Sequence, residues 1–423
     1  MNLTERMRQE SYDGYTYAYP HKTAYRPLDP PVGLAEAWRE EDTSRLFLYT
    51  HLPFCEMRCG FCNLFTTIRP GQDRVEATLA AILRQSRSVA EAVRPLGVAQ
   101  AAFGGGTPSY LTEAQLERLF GGLQKDWPVD FRAIPVSFET SPGTVTPTKL
   151  ALLKQLGVDR LSLGVQSFEV EDLADLTRPQ PAGQLRQACE WIRAAGFPVF
   201  NIDLIYGNPR QDERSWEASL RAALEWRPEE LYLYPLYVGK LTGLDKLGRR
   251  PGERRRALYR QARDLLLSCG YRQVSMRLFR LPQVELETDY CCQQDGMVGL
   301  GPGARSYTRE LHYSSEYAVG QAGVRAIIED FCGRSQAQFA QADYGFLLNA
   351  SEQHLRRLLK TLLRNQSLDF EPGLPQLHEL EALGLARSGP WRLTEEGLAW
   401  SDTIGPWLYS EAVQELMREY ELR

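Results

Sequence analysis

Between Arg45 and Val238 the apolar positions change period in a regular order. Short strand-like runs alternate with stretches in which apolar residues recur every three or four positions. Arg45–His51 reads as a strand, and Val75, Leu79, Ile82, Leu83, Val89 and Val93 follow at helical spacing. Ala101–Phe103 is a second strand that runs into Gly104-Gly-Gly-Thr-Pro108. Thr112 and Gln115 form a capping box for a helix carrying Leu116, Leu119, Phe120 and Leu123. Val136–Glu139, Arg160–Gly164, Phe200–Ile205 and Glu230–Val238 complete a set of six strands. The helices between them open at Thr146-Pro147, Gln184 and Asp212, and close at Gly157, Gly196 and before Pro228. Strand–helix units of about 30 residues predict a parallel sheet with right-handed crossovers. Six units fall short of the eight that close a full barrel. The expected fold is therefore α/β, a partial (β/α)6 barrel of the TIM type, with ligands beyond the carboxyl ends of the strands.

The flanks read differently. Residues 1–44 form a Tyr-rich arm with Tyr12, Tyr15, Tyr17, Tyr19 and Tyr25, which could stack on a planar substrate or pack against the body. After the barrel segment, 45–240, the pattern breaks at Leu244–Arg256 into an Arg-rich stretch read as a solvated connector, with docking of substrate carboxylates at the barrel mouth as the alternative. Residues 241–345 are expected to be linker and accessory elements. In 346–423, Ser351 is expected to cap a helix with Leu355, Leu358, Leu359 and Leu362. A second helix carries Leu377, Leu380 and Leu383, and Leu385–Leu393 reads as a hairpin. Helices followed by a β-wing predict a winged-helix-like domain, here without a basic helix and so suited to docking or covering rather than to DNA.

Charge narrows the partners. The net charge is −5 and the pI about 5.8, which gives no global electrostatic case for nucleic acid or an anionic membrane. No apolar run approaches the roughly 18 residues of a membrane helix, and the first residues hold no apolar signal-peptide core. A cytoplasmic protein is expected, with its eight cysteines reduced or bound to metal. Cys189, Cys269 and Cys332 continue apolar helical stripes and read as core.

Cys55, Cys59 and Cys62 do not. They form a C-x3-C-x2-C triad in one loop. Four-coordinate zinc and ordinary iron–sulfur sites want four ligands. Zinc would need a second ligand pair, and the next cysteine is Cys189. Three thiolates leave one position open on a 4Fe-4S cluster. Other chemistry-bearing residues fall at strand ends. Gly104–Thr107 brings bare backbone close to a ligand. Glu139 ends the third strand and suits an ammonium or a ribose. Gln166 follows the fourth, and Arg178 suits a carboxylate. Asp203 lies within an apolar strand, where an acid needs a reason. Phe61, in the cysteine loop, is placed to cover an adenine.

The set His51-Leu-Pro-Phe-Cys55, Gly104-Gly-Gly-Thr-Pro108, Arg160–Phe168, Asn201–Gly207 and Gly299–Tyr307 resembles the oxygen-independent coproporphyrinogen III oxidase-like (HemN-like) radical SAM family. The resemblance implies that Cys55, Cys59 and Cys62 hold a 4Fe-4S cluster whose fourth iron takes S-adenosyl-L-methionine. Glu139, Gln166, Arg178 and Asp203 match positions that hold this cofactor. Gly105, Gly106 and Thr107 fall where the family can hold a second one, and Tyr49 matches a position beside the cluster. A reductant such as flavodoxin or ferredoxin and a small-molecule substrate are the implied partners. Three departures stand out. Asn63-Leu64 replaces a further cysteine of the porphyrinogen oxidases, whose longer N-terminal extension is also lacking. Asp289-Tyr-Cys-Cys-Gln-Gln-Asp295 replaces the pattern of the haem-chaperone branch. The expected reaction is methyl or methylene transfer to an sp2 carbon using a second S-adenosyl-L-methionine. Porphyrinogen oxidative decarboxylation and a non-catalytic haem chaperone are the alternatives. Tyr49, Cys291 and Cys292 are the candidates for a direct part in catalysis.

Overall fold

The computed structural model describes residues 2–9, 12–284, 293 and 296–422. In chain order its strands are β1 (Arg26–Gly33), β2 (Leu46–Leu52), β3 (Phe54–Cys55), β4 (Thr67–Ile68), β5 (Val98–Gly105), β6 (Val136–Thr140), β7 (Arg160–Gln166), β8 (Val199–Tyr206) and β9 (Glu230–Pro235). There follow β10 (Arg272–Gln273), β11 (Leu278–Arg280), β12 (Met297–Leu300), β13 (Arg305–Tyr307), β14 (Leu311–Ser314), β15 (Gln341–Leu347), β16 (Ala386–Arg387) and β17 (Arg392–Leu393).

The six expected strands are β2 and β5 to β9, and every neighbouring pair among them is parallel. Strands covered on both faces read as almost unbroken apolar runs; in β8 all positions but Asp203 are buried. The helices Gln72–Val93, Glu113–Asp126, Pro147–Gln155, Ala182–Ala195 and Glu213–Glu225 alternate with these strands. Their starts follow the sequence. Thr112 and Gln115 cap reciprocally, Thr146 caps ahead of Pro147, and Asp212 accepts from Arg214 and Ser215. One core joins helix and strand residues, with Leu79, Phe103, Phe120, Phe138, Leu161, Ile202 and Trp216 all at most 1% exposed.

The sheet continues past both expected edges of the barrel segment. Its order is β1-β15-β14-β13-β12-β2-β5-β6-β7-β8-β9-β11-β10. β12 lies parallel to β2, pairing Met297 with Phe47 through Leu300 with Thr50. β13, β14, β15 and β1 extend that side antiparallel. Part of the arm and much of the segment expected to be accessory therefore belong to the same sheet. The two ends of the sheet are not joined to each other, so the barrel is partial.

Residues beyond β15 form a winged-helix-like unit. The helices Ala350–Leu362 and Gln376–Ala382 precede the β16–β17 hairpin, which pairs Ala386 with Leu393. Tyr19 of the arm is buried in its core beside Leu358, Leu362 and Tyr409. The cap of the first helix is Asn349, which accepts from the Glu352 N–H, and not Ser351. Two polar residues compete there, and only Asn349 stands outside the helix in extended backbone. The unit is tied to the barrel by a buried ion pair. Arg277 donates to both oxygens of Asp402 at 2.8 and 2.6 Å. The connector is less solvated than expected. Arg256 is buried, its guanidinium 3.6 Å from the Trp400 ring centroid and 4.4 Å from that of Tyr12. Cys189 is buried as expected, whereas Cys269 is exposed because its helix ends there.

Candidate active site

The cysteine loop leaves the end of β2 and is clamped on several sides. The Gly60 N–H donates to Leu176 O at 3.0 Å, and Gly60 O accepts from the Leu244 N–H at 2.8 Å. A Cβ at Gly60 would lie 2.8–2.9 Å from Thr177, Leu176 and Leu244, so only glycine fits the clamp. On the far side Tyr317 donates to Asn63 O, Gln321 to Thr66 O at 2.9 Å, and Arg58 to Val319 O at 2.6 Å.

Cys55, Cys59 and Cys62 are all free thiols. Burial and the neighbouring Cys62 push Cys55 up to about 12, and burial with Cys59 raises Cys62. They thus sit near enough to oppose each other's ionisation. Around them are donors. Thr107 Oγ1 lies 3.6 Å from Cys55 Sγ, and Arg178 Nη1 lies 2.9 Å from Cys59 Sγ. No three His, Cys, Asp or Glu residues among the described ones are grouped to hold a single metal ion. A cluster places a different demand, one cysteine to each of three irons, and one loop with crowded thiols and cationic donors fits it.

The expected cofactor positions converge on the same rim. Glu139 accepts the Gly105 N–H at 3.1 Å. Burial, then the nearby Asp203, pushes its carboxyl up to about 7. Asp203 accepts from Ser162 at 3.2 Å and Asn201 at 2.8 Å, and burial raises it too. Arg178 binds Gly164 O through Nη2 at 2.6 Å while its other arm reaches Cys59. Gln166 adopts φ +74°, and a Cβ at Gly164 would meet its amide at 3.0 Å. Phe61 rests half-buried on a shelf of Leu176, Ile205, Leu236 and Leu244. Tyr49 shares a hydrogen bond of 3.1 Å with His51 Nδ1. Because His51 Nε2 donates to Phe65 O at 3.0 Å, Nδ1 must accept, and the Tyr49 hydroxyl is the donor. Cys291 and Cys292 lie outside the described residues.

The Gly104–Thr107 turn is used in a way its sequence does not reveal. A Cβ at Gly104 would sit 2.9 Å from the Glu139 carboxyl. One at Gly105 (φ +110°) would meet the His51 ring at 2.6 Å, and one at Gly106 would meet Phe54 O at 2.6 Å. The Gly106 and Thr107 N–H groups donate to Leu52 O and Phe54 O at 2.8 and 2.7 Å. Glycine is required here because the chain approaches itself.

Sequence reasoning missed a group of residues near Tyr49, His51 and Cys62. Arg305 of β13 donates to the Tyr17 hydroxyl at 2.5 Å and stacks on the Tyr17 ring. Lys22 lies 3.4 Å over the Tyr317 ring, and His21 packs edge-on against Tyr17. Burial, then Arg305, holds the Lys22 ammonium well below its ordinary pKa. Neither side chain has a carboxylate partner among the described residues. Arg305 was visible inside the Gly299–Tyr307 element; nothing in the arm marked Lys22. The arm's tyrosines divide: Tyr19 and Tyr25 are wholly buried, while Tyr15 and Tyr17 remain partly open.

Comparison with known proteins gives the family. Residues 49–223 match the Radical SAM superfamily. The oxygen-independent coproporphyrinogen III oxidase of Pseudomonas aeruginosa is 30% identical over 348 residues, 74% of each chain. That of Synechocystis is 34% identical over 249 residues, with the chain spanning about half of its length (53%). The heme chaperone HemW of Escherichia coli is 28% identical, covering 61% of this chain and 69% of its own. The solved structure of Escherichia coli coproporphyrinogen III oxidase (HemN) superposes with a TM-score of 0.79 over 96% of this chain and 98% of that one, at 23% identity. The fold is thus shared across the whole length, and the chain belongs to the HemN-like radical SAM family, which implies a 4Fe-4S cluster and S-adenosyl-L-methionine.

Proposed function

We propose that the protein uses one S-adenosyl-L-methionine per turnover to abstract a hydrogen atom from a carboxylate-bearing small molecule held at the barrel mouth. The supporting observation is the Gly104–Thr107 turn. The N–H groups of Gly105, Gly106 and Thr107 are all donated within the chain, and the Thr107 hydroxyl faces Cys55. The turn serves the cysteine strand and Glu139, so it offers little to a second cofactor, and the expected methyl transfer loses its main footing. Held by Cys55, Cys59 and Cys62 and by the rim, a reduced cluster with S-adenosyl-L-methionine would supply the hydrogen-abstracting chemistry. The chain's own residues orient and enclose. Arg178 would suit the cofactor carboxylate, Glu139 and Asp203 would accept from ribose hydroxyls, and His51 fixes the direction of the Tyr49 O–H bond. Arg305 supplies a positive charge near Tyr49 and His51, with the Lys22 amine as a further donor, which suits the carboxylates of the coproporphyrinogen in the relatives' names.

The test is product analysis after anaerobic reconstitution, with dithionite as reductant and coproporphyrinogen III as probe. The expected products are 5′-deoxyadenosine and methionine without S-adenosylhomocysteine. Equal amounts of 5′-deoxyadenosine and S-adenosylhomocysteine, with deuterium passing from a methyl-deuterated cofactor, would replace this reading with methyl transfer. Tight haem binding with no cofactor cleavage would make the protein a chaperone.

A further inference from the structure

A cavity of 180 Å3 lies between the helices Ala182–Ala195 and Glu213–Glu225, with the short helix Val170–Asp175 at its side. Neither the cysteine loop nor the Gly104–Thr107 turn lines it. Its floor is apolar, made by Phe168, Leu173, Leu185 and the Trp226 ring. Leu173 and Leu185 are buried, so that floor is fixed by the core beneath it.

Four polar groups stand around this floor with their needs unmet. Glu169 and Glu225 line the cavity, and neither carboxylate has a cationic partner among the described residues. Burial, then Asp172 and Glu171, raises the Glu169 carboxyl above its ordinary value. Arg186 has no acidic partner there either; its guanidinium lies 5.8 Å from the Trp226 ring centroid. The fourth group is the Gln180 amide. Its Nε2 is buried and donates to nothing, while its Oε1 accepts from Arg178 Nε at 3.4 Å. A buried donor without an acceptor is rare and asks for a reason. Both signs of charge over an apolar floor describe a zwitterion with an apolar tail. An apolar cavity of about 150 Å3 takes a benzene ring, so one of 180 Å3 takes a small apolar side chain with its α-amino and α-carboxyl groups at the mouth.

We propose that this cavity binds an apolar α-amino acid, and that methionine released by cofactor cleavage is the one it senses. The two acids take the ammonium, Arg186 and Gln180 Nε2 take the carboxylate, and the thioether lies against Trp226. The choice of methionine rests on the function proposed above; the amino-acid site does not. Gln180 links the cavity to the rim, because the same side chain holds Arg178, whose guanidinium also reaches Cys59 and Gly164. A carboxylate on Nε2 fixes the amide and tightens its long contact with Arg178, which draws the guanidinium away from the cofactor carboxylate. Bound methionine then weakens S-adenosyl-L-methionine binding, and the cofactor weakens methionine by the same factor. The result is feedback by a product.

Anaerobic calorimetry on the reconstituted full-length protein tests this with L-methionine as the ligand and no reductant, so that nothing turns over. Methionine should bind the unaltered protein. Leu173→Trp, which fills the cavity, and Arg186→Glu, which reverses an exposed charge at its mouth, should each weaken it about tenfold or more. Cofactor affinity measured without methionine should be the same in both variants as in the unaltered protein. As methionine rises, the cofactor dissociation constant should climb about fivefold or more and then level off, and Gln180→Met should abolish the climb. Unchanged methionine affinity in both variants, or no methionine binding at all, would overturn the site. A climb that never levels and survives Leu173→Trp is competition at the rim and would overturn the feedback. If S-adenosyl-L-methionine itself fails to bind the unaltered protein, the function proposed above falls, while the methionine titrations still decide the cavity.

Discussion

Arg178 does two things at once, and its replacement by methionine separates them. The guanidinium places Nη2 on Gly164 O at 2.6 Å and Nη1 on Cys59 Sγ at 2.9 Å, with the residue only 8% exposed. Methionine keeps much of the volume and removes every donor. Loss of a charge-assisted contact to the cofactor carboxylate is worth about 1.5–3 kcal/mol, or roughly 10- to 150-fold in dissociation constant. The half-buried Gly164 carbonyl, left unpaired, costs about 1 kcal/mol of stability. The Cys59 contact adds a third effect, because a thiolate without its cation is a poorer resting place for charge. Arg178→Met should therefore weaken S-adenosyl-L-methionine binding by calorimetry and also speed iron loss to a chelator. Asp203→Asn, whose neighbours are Ser162 and Asn201 and not a cysteine, should weaken binding while iron release stays at the original rate. If both variants bind the cofactor with unchanged affinity, the rim is not its site. If Arg178→Met releases iron no faster, the Cys59 contact carries no weight.

Other outcomes follow from the same geometry. Gly106→Ala places a Cβ 2.6 Å from Phe54 O, so it should cost about 1–3 kcal/mol in denaturant unfolding and lower iron content. A second-cofactor role would instead leave iron intact. Glu139 keeps its proton to about pH 7, against an ordinary value of 4.5. The folded state thus binds more protons between those values, and stability of the apo protein should fall as pH rises through that window. Glu139→Gln should flatten that slope; an identical slope in the variant would contradict the assignment. Arg277→Met strands the buried Asp402 and should cost about 3–5 kcal/mol, much of it recovered by the double change Arg277→Met with Asp402→Leu.

The parallel strands were legible because parallel-sheet strands are apolar throughout and their helices begin at recognisable caps, as at Thr112, Thr146 and Asp212. The cysteine triad was legible because three soft ligands in one loop have few other uses. The rim residues followed from their places at strand ends. What could not be read was anything that depends on what approaches from afar. Gly104 and Gly106 announce a close approach but not that Glu139 and the Phe54 carbonyl are what come close. Arg256 sits in a run of arginines that looks solvated until Tyr12 and Trp400 close over it. Arg305 and Lys22 meet across nearly 300 positions of chain, and no local period records that.

The parallel pairing of β12 with β2 has a consequence for how the cofactor could ever be loaded. β2 delivers the cysteine loop, and one of its two neighbours comes from some 250 residues later in the chain. A ribosome that has finished residue 240 has made the cysteine triad and Glu139, Gln166, Arg178 and Asp203. Yet it leaves β2 as a bare border with the ladder from Phe47 to Thr50 unmatched. Contacts that span so much sequence form late, and an open border invites pairing with the wrong chain. Iron acquisition by this protein is then a report that the far half has arrived, and a 1–240 fragment should aggregate in place of binding a cluster despite carrying all of its cysteines.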